Sequence, residues 1–501
     1  MENIEIQLKA PNGRTVVLPT GLFINNEWKS GSAKRLETRS PTDEQVICSL
    51  EAASAGDIDL AVRSARAALT HASWRDISAA ERGQMLHKLA ALIYEHKEDL
   101  ATLETWDNGK PYSVSLEEDV PEAVACLRYY AGWADKIHGQ TIPTTCQKFA
   151  YTLTQPVGVC AQIIPWNYPL VMASWKLGPT LAAGCTVVLK PAEQTPLSAL
   201  FLAKLVEAAG LPPGVVNIVN GRGQEAGHAL ASHMDVDKIA FTGSTMVGKE
   251  IMRSASLNLK KITLETGGKS PLLVFEDADI HQAAEWAFIG AMSNQGQVCT
   301  ATSRLLVQDS VLPRFLSALL AIITRTVVGN PFAKDTTQGP QVTQQQYDKI
   351  LSLIGVAVKE GAKVECGGQS LRETAGRGRG YFIAPTVLSG VTSSMTIFHE
   401  EVFGPVLTVT SFETEQEAVR LANDSIYGLA AALFTRDVER AHRVPQLLQS
   451  GMVWVNSSND PNPQVPFGGI KQSGIGRELG EAGLSSYLET KSVHLNIGAK
   501  L

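Results

Sequence analysis

The sequence lacks any surplus of positive charge. Its 44 Lys and Arg are outnumbered by 50 Asp and Glu, a formal net charge of −6. That excludes general nucleic-acid binding, which requires a basic face. It also lacks paired cysteine spacings. The seven cysteines (Cys48, Cys126, Cys146, Cys160, Cys185, Cys299, Cys366) are odd in number and contain no C-x-x-C. A disulfide framework and a Cys-rich zinc site are therefore not expected, no metal is expected, and a reducing compartment is. The N-terminus carries Glu2, Glu5 and Lys9 with no apolar run, so no signal peptide is expected. No stretch is apolar enough to cross a bilayer. Residues 163–189 and 315–328 come nearest, and Pro, Lys or Arg interrupts each.

What is present is ordinary for a water-exposed globular chain: 501 residues, 44% hydrophobic and 19% charged. That length predicts two large domains or more. Residues 22–28 read as a small hairpin turning at Asn25-Asn26. From Ile58 to Ala131 apolar residues recur at helical spacing. Residues 157–164 and 186–189 are apolar runs around a helical stretch, Leu170 to Ala183, which predicts parallel strands in a βαβ unit. Further strands are expected at 215–219, 238–242, 261–264, 272–275, 304–307 and 453–456, and helices at 200–209, 280–292 and 349–360. Phe149, Tyr151 and Leu153 alternate with other residues, as do Val493, Leu495 and Ile497. These are two separated strands without a local partner.

The chemistry concentrates between Glu265 and Cys299. A thiol attacks a carbonyl as the thiolate, and a free thiol has a pKa of about 8.5. Covalent catalysis by Cys299 needs a base or a positive potential nearby, and Glu265 is a carboxylate able to activate water. Taken alone, Cys299 can equally be a buried structural thiol. Asn167, in Pro165-Trp166-Asn167-Tyr168-Pro169, can donate to an oxyanion with the Cys299 N–H or simply cap a helix. Glu193, at the end of a parallel strand, can accept from a ribose diol, with Lys190 as a second partner; the alternative is a solvated Lys/Glu pair. Phe241-Thr242-Gly243-Ser244 reads as strand, turn and cap, with a helix N-terminus able to hold a pyrophosphate. Gly221–Gly227 has Gly residues at the wrong spacing for G-x-G-x-x-G.

Leu264-Glu265-Thr266-Gly267-Gly268-Lys269-Ser270 followed by Gly296-Gln297-Val298-Cys299 resembles the aldehyde dehydrogenase superfamily, from about residue 20 to about residue 495. The Pro-Trp-Asn-Tyr-Pro, Phe-Thr-Gly-Ser-x-x-x-Gly, Glu400–Val406 and Pro466–Glu478 segments match the same family. Thr266 stands where the family usually has Leu. The resemblance implies an α/β fold: a Rossmann-type cofactor domain over 1–134 and 157–265, a second α/β catalytic domain over 266–475, and a small bridging β-sheet for oligomerisation from 135–156 and 476–501. It implies catalysis by Cys299, Glu265 and Asn167. It implies NAD as cofactor, held by Ile164, Trp166, Lys190, Glu193, Gly223, Gly227, Phe241, Gly243, Ser244, Gly248, Thr266, Gly267, Glu401 and Phe403. The Glu193 carboxylate would repel a 2′-phosphate and so favour NAD over NADP.

Tyr168, Met172, Trp175, Val298, Asn459 and Phe467 are expected to wall the pocket of a small-molecule aldehyde. No Arg or second acid is identified in that pocket, so nothing in it calls for a charged tail. The expected product is a carboxylic acid, formed through a thiohemiacetal and thioester on Cys299. An acylating relative, or a non-enzymatic protein on the same scaffold, is the alternative; retention of Glu265 argues against the first. A homo-oligomer, dimer or tetramer, is expected, with no nucleic acid and no membrane. The terminal Ala499-Lys500-Leu501 resembles a peroxisomal signal, so the expected location is peroxisomal or cytoplasmic.

Overall fold

The structure, a computed structural model, describes residues 4–372 and 379–498. The tripeptide Ala499-Lys500-Leu501 lies outside the described residues. The apolar runs around residue 160 become central strands because they carry no polar face: β1 (Val159–Ile163) and β2 (Thr186–Lys190) are buried at every position. They pair in parallel, with Val159 opposite Thr186. The helix between them, α1 (Pro169–Ala183), starts on a proline and ends at Gly184, whose φ of 85° closes the C-terminus in the left-handed conformation. The next units are β3 (Lys238–Thr242), α2 (Thr245–Ala255) and β4 (Lys261–Glu265).

These strands form an eight-stranded sheet in the order Gly474–Ile475, β4, β3, β1, β2, Val216–Ile218, Leu22–Ile24, Glu27–Lys29. The expected hairpin is there. Asn25 and Asn26 take φ of 60° and 56°, the pair of left-handed residues that a tight hairpin turn requires. A second, seven-stranded sheet runs Lys363–Cys366, Thr386–Ser389, Val406–Phe412, Arg304–Gln308, Pro271–Val274, Ala430–Phe434, Met452–Val455. Helix α3 (Ile280–Met292) packs against it and leads to the Cys299 loop. The helix expected to start at Lys349 begins earlier, at Gln344, because the Thr343 side chain accepts from the Gln346 N–H and caps it.

The two strands without local partners pair with each other. Leu488–Asn496 lies antiparallel to Lys148–Pro156, with Val493 opposite Tyr151, and Thr141–Ile142 completes a three-stranded sheet. Its apolar side chains Ile142, Phe149, Leu153 and Leu495 are 40–42% exposed. Among the described residues, no helix is long and apolar enough to cross a membrane.

The parallel strands determine where the site lies. β1, β2, β3 and β4 end next to Ile164, at Lys190, beside Gly243 and at Glu265 respectively. Ligands of open α/β sheets bind beyond the carboxyl ends of the strands.

Candidate active site

The loop after α3 is wound tightly. Asn294, Gln295 and Gly296 have φ of 47°, 59° and 74° in succession. A Cβ on Gly296 would lie 2.1 Å from the Gly404 carbonyl carbon, so only glycine fits. Such left-handed runs persist where the surroundings hold them. Here the Asn294 amide donates to the Asn167 carbonyl at 2.8 Å, and the Gln297 N–H donates to the Asn294 carbonyl at 3.0 Å. The result turns Val298 and Cys299 towards the end of the eight-stranded sheet.

Asn167 answers from the other side. Its amide donates to the Gln297 carbonyl at 2.9 Å, and the side chain is buried. It does not cap α1: the N-cap residue is Tyr168, and no side chain makes a capping bond there.

Glu265 ends β4 and is 2% exposed. Among the described residues neither of its carboxyl oxygens makes a full hydrogen bond, and the Gly469 N–H bears on it only weakly. Gly468, with φ of 148°, makes room for it: a Cβ there would lie 2.6 Å from Oε1. Burial pushes the Glu265 carboxyl well above the usual range, and repulsion from Glu478 adds to this; Lys176 and Arg477 act in opposition. Glu478 is itself ion-paired with the fully buried Lys176, whose ammonium also donates to the Thr242 hydroxyl at 2.7 Å. Burial pushes the Cys299 thiol up to about 12, with Glu401 and Glu265 contributing repulsion.

One cavity of about 370 Å³ joins these groups. It contains Asn167, Glu265 and Cys299 together with Trp166, Gly243, Ser244, Thr266, Gly267, Glu401 and Phe403 of the expected cofactor set. It also contains all six expected pocket residues: Tyr168, Met172, Trp175, Val298, Asn459 and Phe467. Glu401 reaches in to accept from the Gly268 N–H at 2.9 Å. It passes so close to Gly267 that a Cβ there would lie 2.3 Å from its carboxylate. Phe403 stands edge-on to Trp166, with ring centroids 5.3 Å apart. The Thr266 hydroxyl donates to the Gln472 carbonyl at 2.7 Å, a bond that leucine could not make. Asn459 donates to the Gly290 carbonyl at 2.6 Å.

The remaining expected cofactor residues form a second cluster alongside. Lys190 is buried, its ammonium donating to the Pro191 carbonyl at 3.0 Å and lying 3.8 Å from Glu193. Desolvation lowers it to about 8. Glu193 accepts from the Gly223 N–H at 3.0 Å. Gly227 faces the Lys190 stem. Gly223 and Gly227 lie in one turn of π-helix, Gly223–Gly227, which explains why their spacing does not fit the Gly-x-Gly fingerprint. Gly243 packs over the Phe241 ring and Gly248 against the Thr266 methyl, closely enough that a Cβ would clash at 2.5 Å and 2.8 Å. The Ser244 hydroxyl caps α2, accepting from the Val247 N–H at 3.3 Å. Ile164 binds the Lys190 carbonyl through its N–H.

This architecture fits a dinucleotide. A buried lysine and a carboxylate sit at the end of β2, a helix N-terminus opens beyond Gly243, and two positions have no room for a Cβ.

One expectation is overturned. The pocket does contain further acids: Glu118, Asp119 and Glu122 line the same cavity as Cys299. They come from helical residues 115–131, far from any motif. The sequence shows that Glu118 and Glu122 share a helix face, but nothing in it says that this face looks onto Trp175. The Lys176–Glu478 pair was likewise not legible, its members being 302 residues apart.

The aldehyde dehydrogenase family model matches residues 28–493. The mitochondrial aldehyde dehydrogenase of Homo sapiens is 51% identical over 494 residues, covering 98% of this chain and 95% of that one. The solved NAD+ complex of aldehyde dehydrogenase from Bacillus cereus superposes with a TM-score of 0.93 at 48% identity, covering 96% of this chain and 97% of that one. Betaine aldehyde dehydrogenase from Staphylococcus aureus in complex with NAD+ gives a TM-score of 0.94 at 41% identity, covering 97% and 96%. The chain belongs to the aldehyde dehydrogenase family.

Proposed function

We propose that this protein oxidises an aldehyde to the carboxylic acid with NAD as cofactor, through a covalent intermediate on Cys299. The observation that carries the reading is the single cavity that brings Cys299, Glu265 and Asn167 together with Glu401 and Gly243. The NAD+ complexes of its structural neighbours support the choice of cofactor.

In this reading Lys190 and Glu193 hold the adenosine ribose, Ser244 and the first turn of α2 the pyrophosphate, and Glu401 the second ribose. The oxidised nicotinamide supplies a positive ring that favours a thiolate nearby and an acceptor for the hydride. The Cys299 sulfur attacks the aldehyde carbon. The Asn167 amide and the Cys299 N–H donate to the oxygen as it becomes an oxyanion. After oxidation a thioester remains on Cys299. Glu265, its affinity for a proton raised by burial, removes a proton from the attacking water and the acid is released. The mostly aromatic and apolar wall of Tyr168, Met172, Trp175, Val298 and Phe467 excludes bulk water.

The division into a cofactor domain (1–134, 157–265), a catalytic domain (266–475) and oligomerisation strands (135–156, 476–501) is part of the same proposal. The exposed apolar side chains of the three-stranded sheet support a homo-oligomer built through it. The test is absorbance of NADH on mixing with NAD and a panel of aldehydes. Turnover dependent on NAD and abolished in Cys299→Ala is expected. An absolute requirement for an added thiol or phosphate acceptor would instead identify an acylating enzyme.

A further inference from the structure

The substrate tunnel is acidic, and among the described residues two of its carboxylates lie outside any salt bridge, with Lys110 acting on them only from a distance. Of the three acids, Asp119 is neutralised by Lys110 at 2.5 Å. Glu118 and Glu122 make no ion pair among the described residues. They lie four residues apart across the π-helical turn Ser115–Asp119 and the helix that follows. Like charges at this spacing repel, and π-turns recur at functional sites. Glu118 is exposed at the mouth and Glu122 half-buried further in.

The walls around them are aromatic. Trp175 and Phe467 meet edge to face with centroids 4.8 Å apart, and Tyr168 and Trp454 line the same cavity. The Trp175 indole is buried, at 4% exposure, and its N–H is turned towards the Glu122 carboxylate without making a full hydrogen bond to it. This lining already accommodates one ammonium: Lys110 Nζ sits 4.0 Å from the centroid of the Tyr168 ring. Ring faces and carboxylates outside any ion pair together are the surroundings that stabilise an organic cation, whereas an uncharged tail would leave the half-buried Glu122 with only the Trp175 N–H and the more distant Lys110 to offset its charge. Burial and the neighbouring Asp119 hold the Glu122 carboxyl at about 7, above its ordinary value, as expected for an acid awaiting a partner.

We propose that the preferred substrates are aldehydes bearing a cationic nitrogen at the far end of a short chain, with Glu118 and Glu122 as the groups that select them. This rests on the aldehyde-oxidising reading above. The carbonyl lies at Cys299 and the nitrogen lies between the two glutamates and the aromatic rings.

The experiment compares trimethylammonio-butyraldehyde with its uncharged isostere, in which a tert-butyl group replaces the trimethylammonium. The expected result is a kcat/KM at least about tenfold higher for the cation, arising in KM. That ratio should fall by about tenfold in Glu122→Gln, the range of a desolvated cation–aromatic or ion-pair contact, and by a few-fold in Glu118→Gln, whose exposed carboxylate is screened by water. A primary-amine analogue, an aminopropionaldehyde, tells whether any cation suffices or a quaternary one is required. Calorimetric binding of tetramethylammonium, compared with the double glutamine variant, reads the tunnel without turnover. A ratio near one in the parent protein, together with no tetramethylammonium binding, overturns the cation assignment and leaves aldehyde oxidation standing. Binding that depends on the glutamates with no oxidation of either aldehyde sustains the assignment and overturns the proposed activity.

Discussion

Asn167 and Cys299 are joined through one carbonyl: the Asn167 amide donates to Gln297, two residues before the thiol, at 2.9 Å. The turn that begins α1 and the loop that follows α3 therefore form one unit. Replacing Asn167 by Ala would remove this tie and, in the proposed mechanism, the oxyanion donor as well.

Cys299→Ala is expected to abolish aldehyde oxidation while NAD still binds. Cys299 alone among the seven cysteines opens into the cavity that holds Glu265 and Asn167. Stopped-flow NADH absorbance with parallel titration of NAD checks this, and substantial turnover in the variant would refute the covalent route.

Glu265→Gln should separate the two halves of the reaction. The carboxyl is buried and makes no full hydrogen bond among the described residues, and glutamine fits the space that Gly468 leaves. A burst of roughly one NADH per active site followed by slow turnover is expected, the signature of an accumulating acyl-enzyme. Loss of the burst would assign Glu265 to thiol activation instead.

The pH dependence of thiol reactivity follows from burial. With the Cys299 thiol pushed up to about 12, the thiolate is a small fraction near neutrality, and it grows tenfold for each unit of pH below that value. Inactivation of the NAD-free protein by iodoacetamide should therefore keep rising through and beyond the range in which an ordinary thiol levels off, near 8.5. A plateau there would mean that the sulfur is less desolvated than its burial implies, with Glu401 and Glu265 adding little repulsion.

Glu193 should decide cofactor choice. Its carboxylate is held by the Gly223 N–H beside Lys190, where a 2′-phosphate would meet it. A clear preference for NAD is expected, relaxed towards NADP in Glu193→Gln, measured as the ratio of kcat/KM for the two cofactors. Equal use of both by the parent protein would contradict it.

Lys176→Met should cost stability as well as activity. The residue is wholly buried, and its partner Glu478 is 4% exposed, so the variant leaves a carboxylate without its cation. A loss of about 3 kcal/mol is expected, readable as a shift in the denaturant midpoint. A midpoint within the range of surface substitutions would mean that Glu478 finds another partner.

Much of the fold was legible because its signals are local. Val159–Ile163 and Thr186–Lys190 are buried on both faces, so each reads as an unbroken apolar run. Asn25-Asn26 and Gly184 carry the backbone conformations that their turns need. The residues around the cavity were legible because they lie in short motifs at strand ends and turns, where a family resemblance shows residue by residue. The charge of the tunnel was not. Glu118 and Glu122 have the spacing of any solvated helix face. Only the packing of residues 115–131 beside α1 turns that face towards Trp175 and Phe467, and only there does the Glu122 carboxylate lose part of the water that would otherwise screen it. The same holds for Lys176 and Glu478. Each is an ordinary charged residue in its own segment, and they become a buried pair only when the chain brings residues 302 positions apart into contact. The order of residues determined the strands, turns and strand-end motifs. The tertiary structure decided which charges are desolvated, because desolvation depends on what packs around a group and not on its neighbours in the chain.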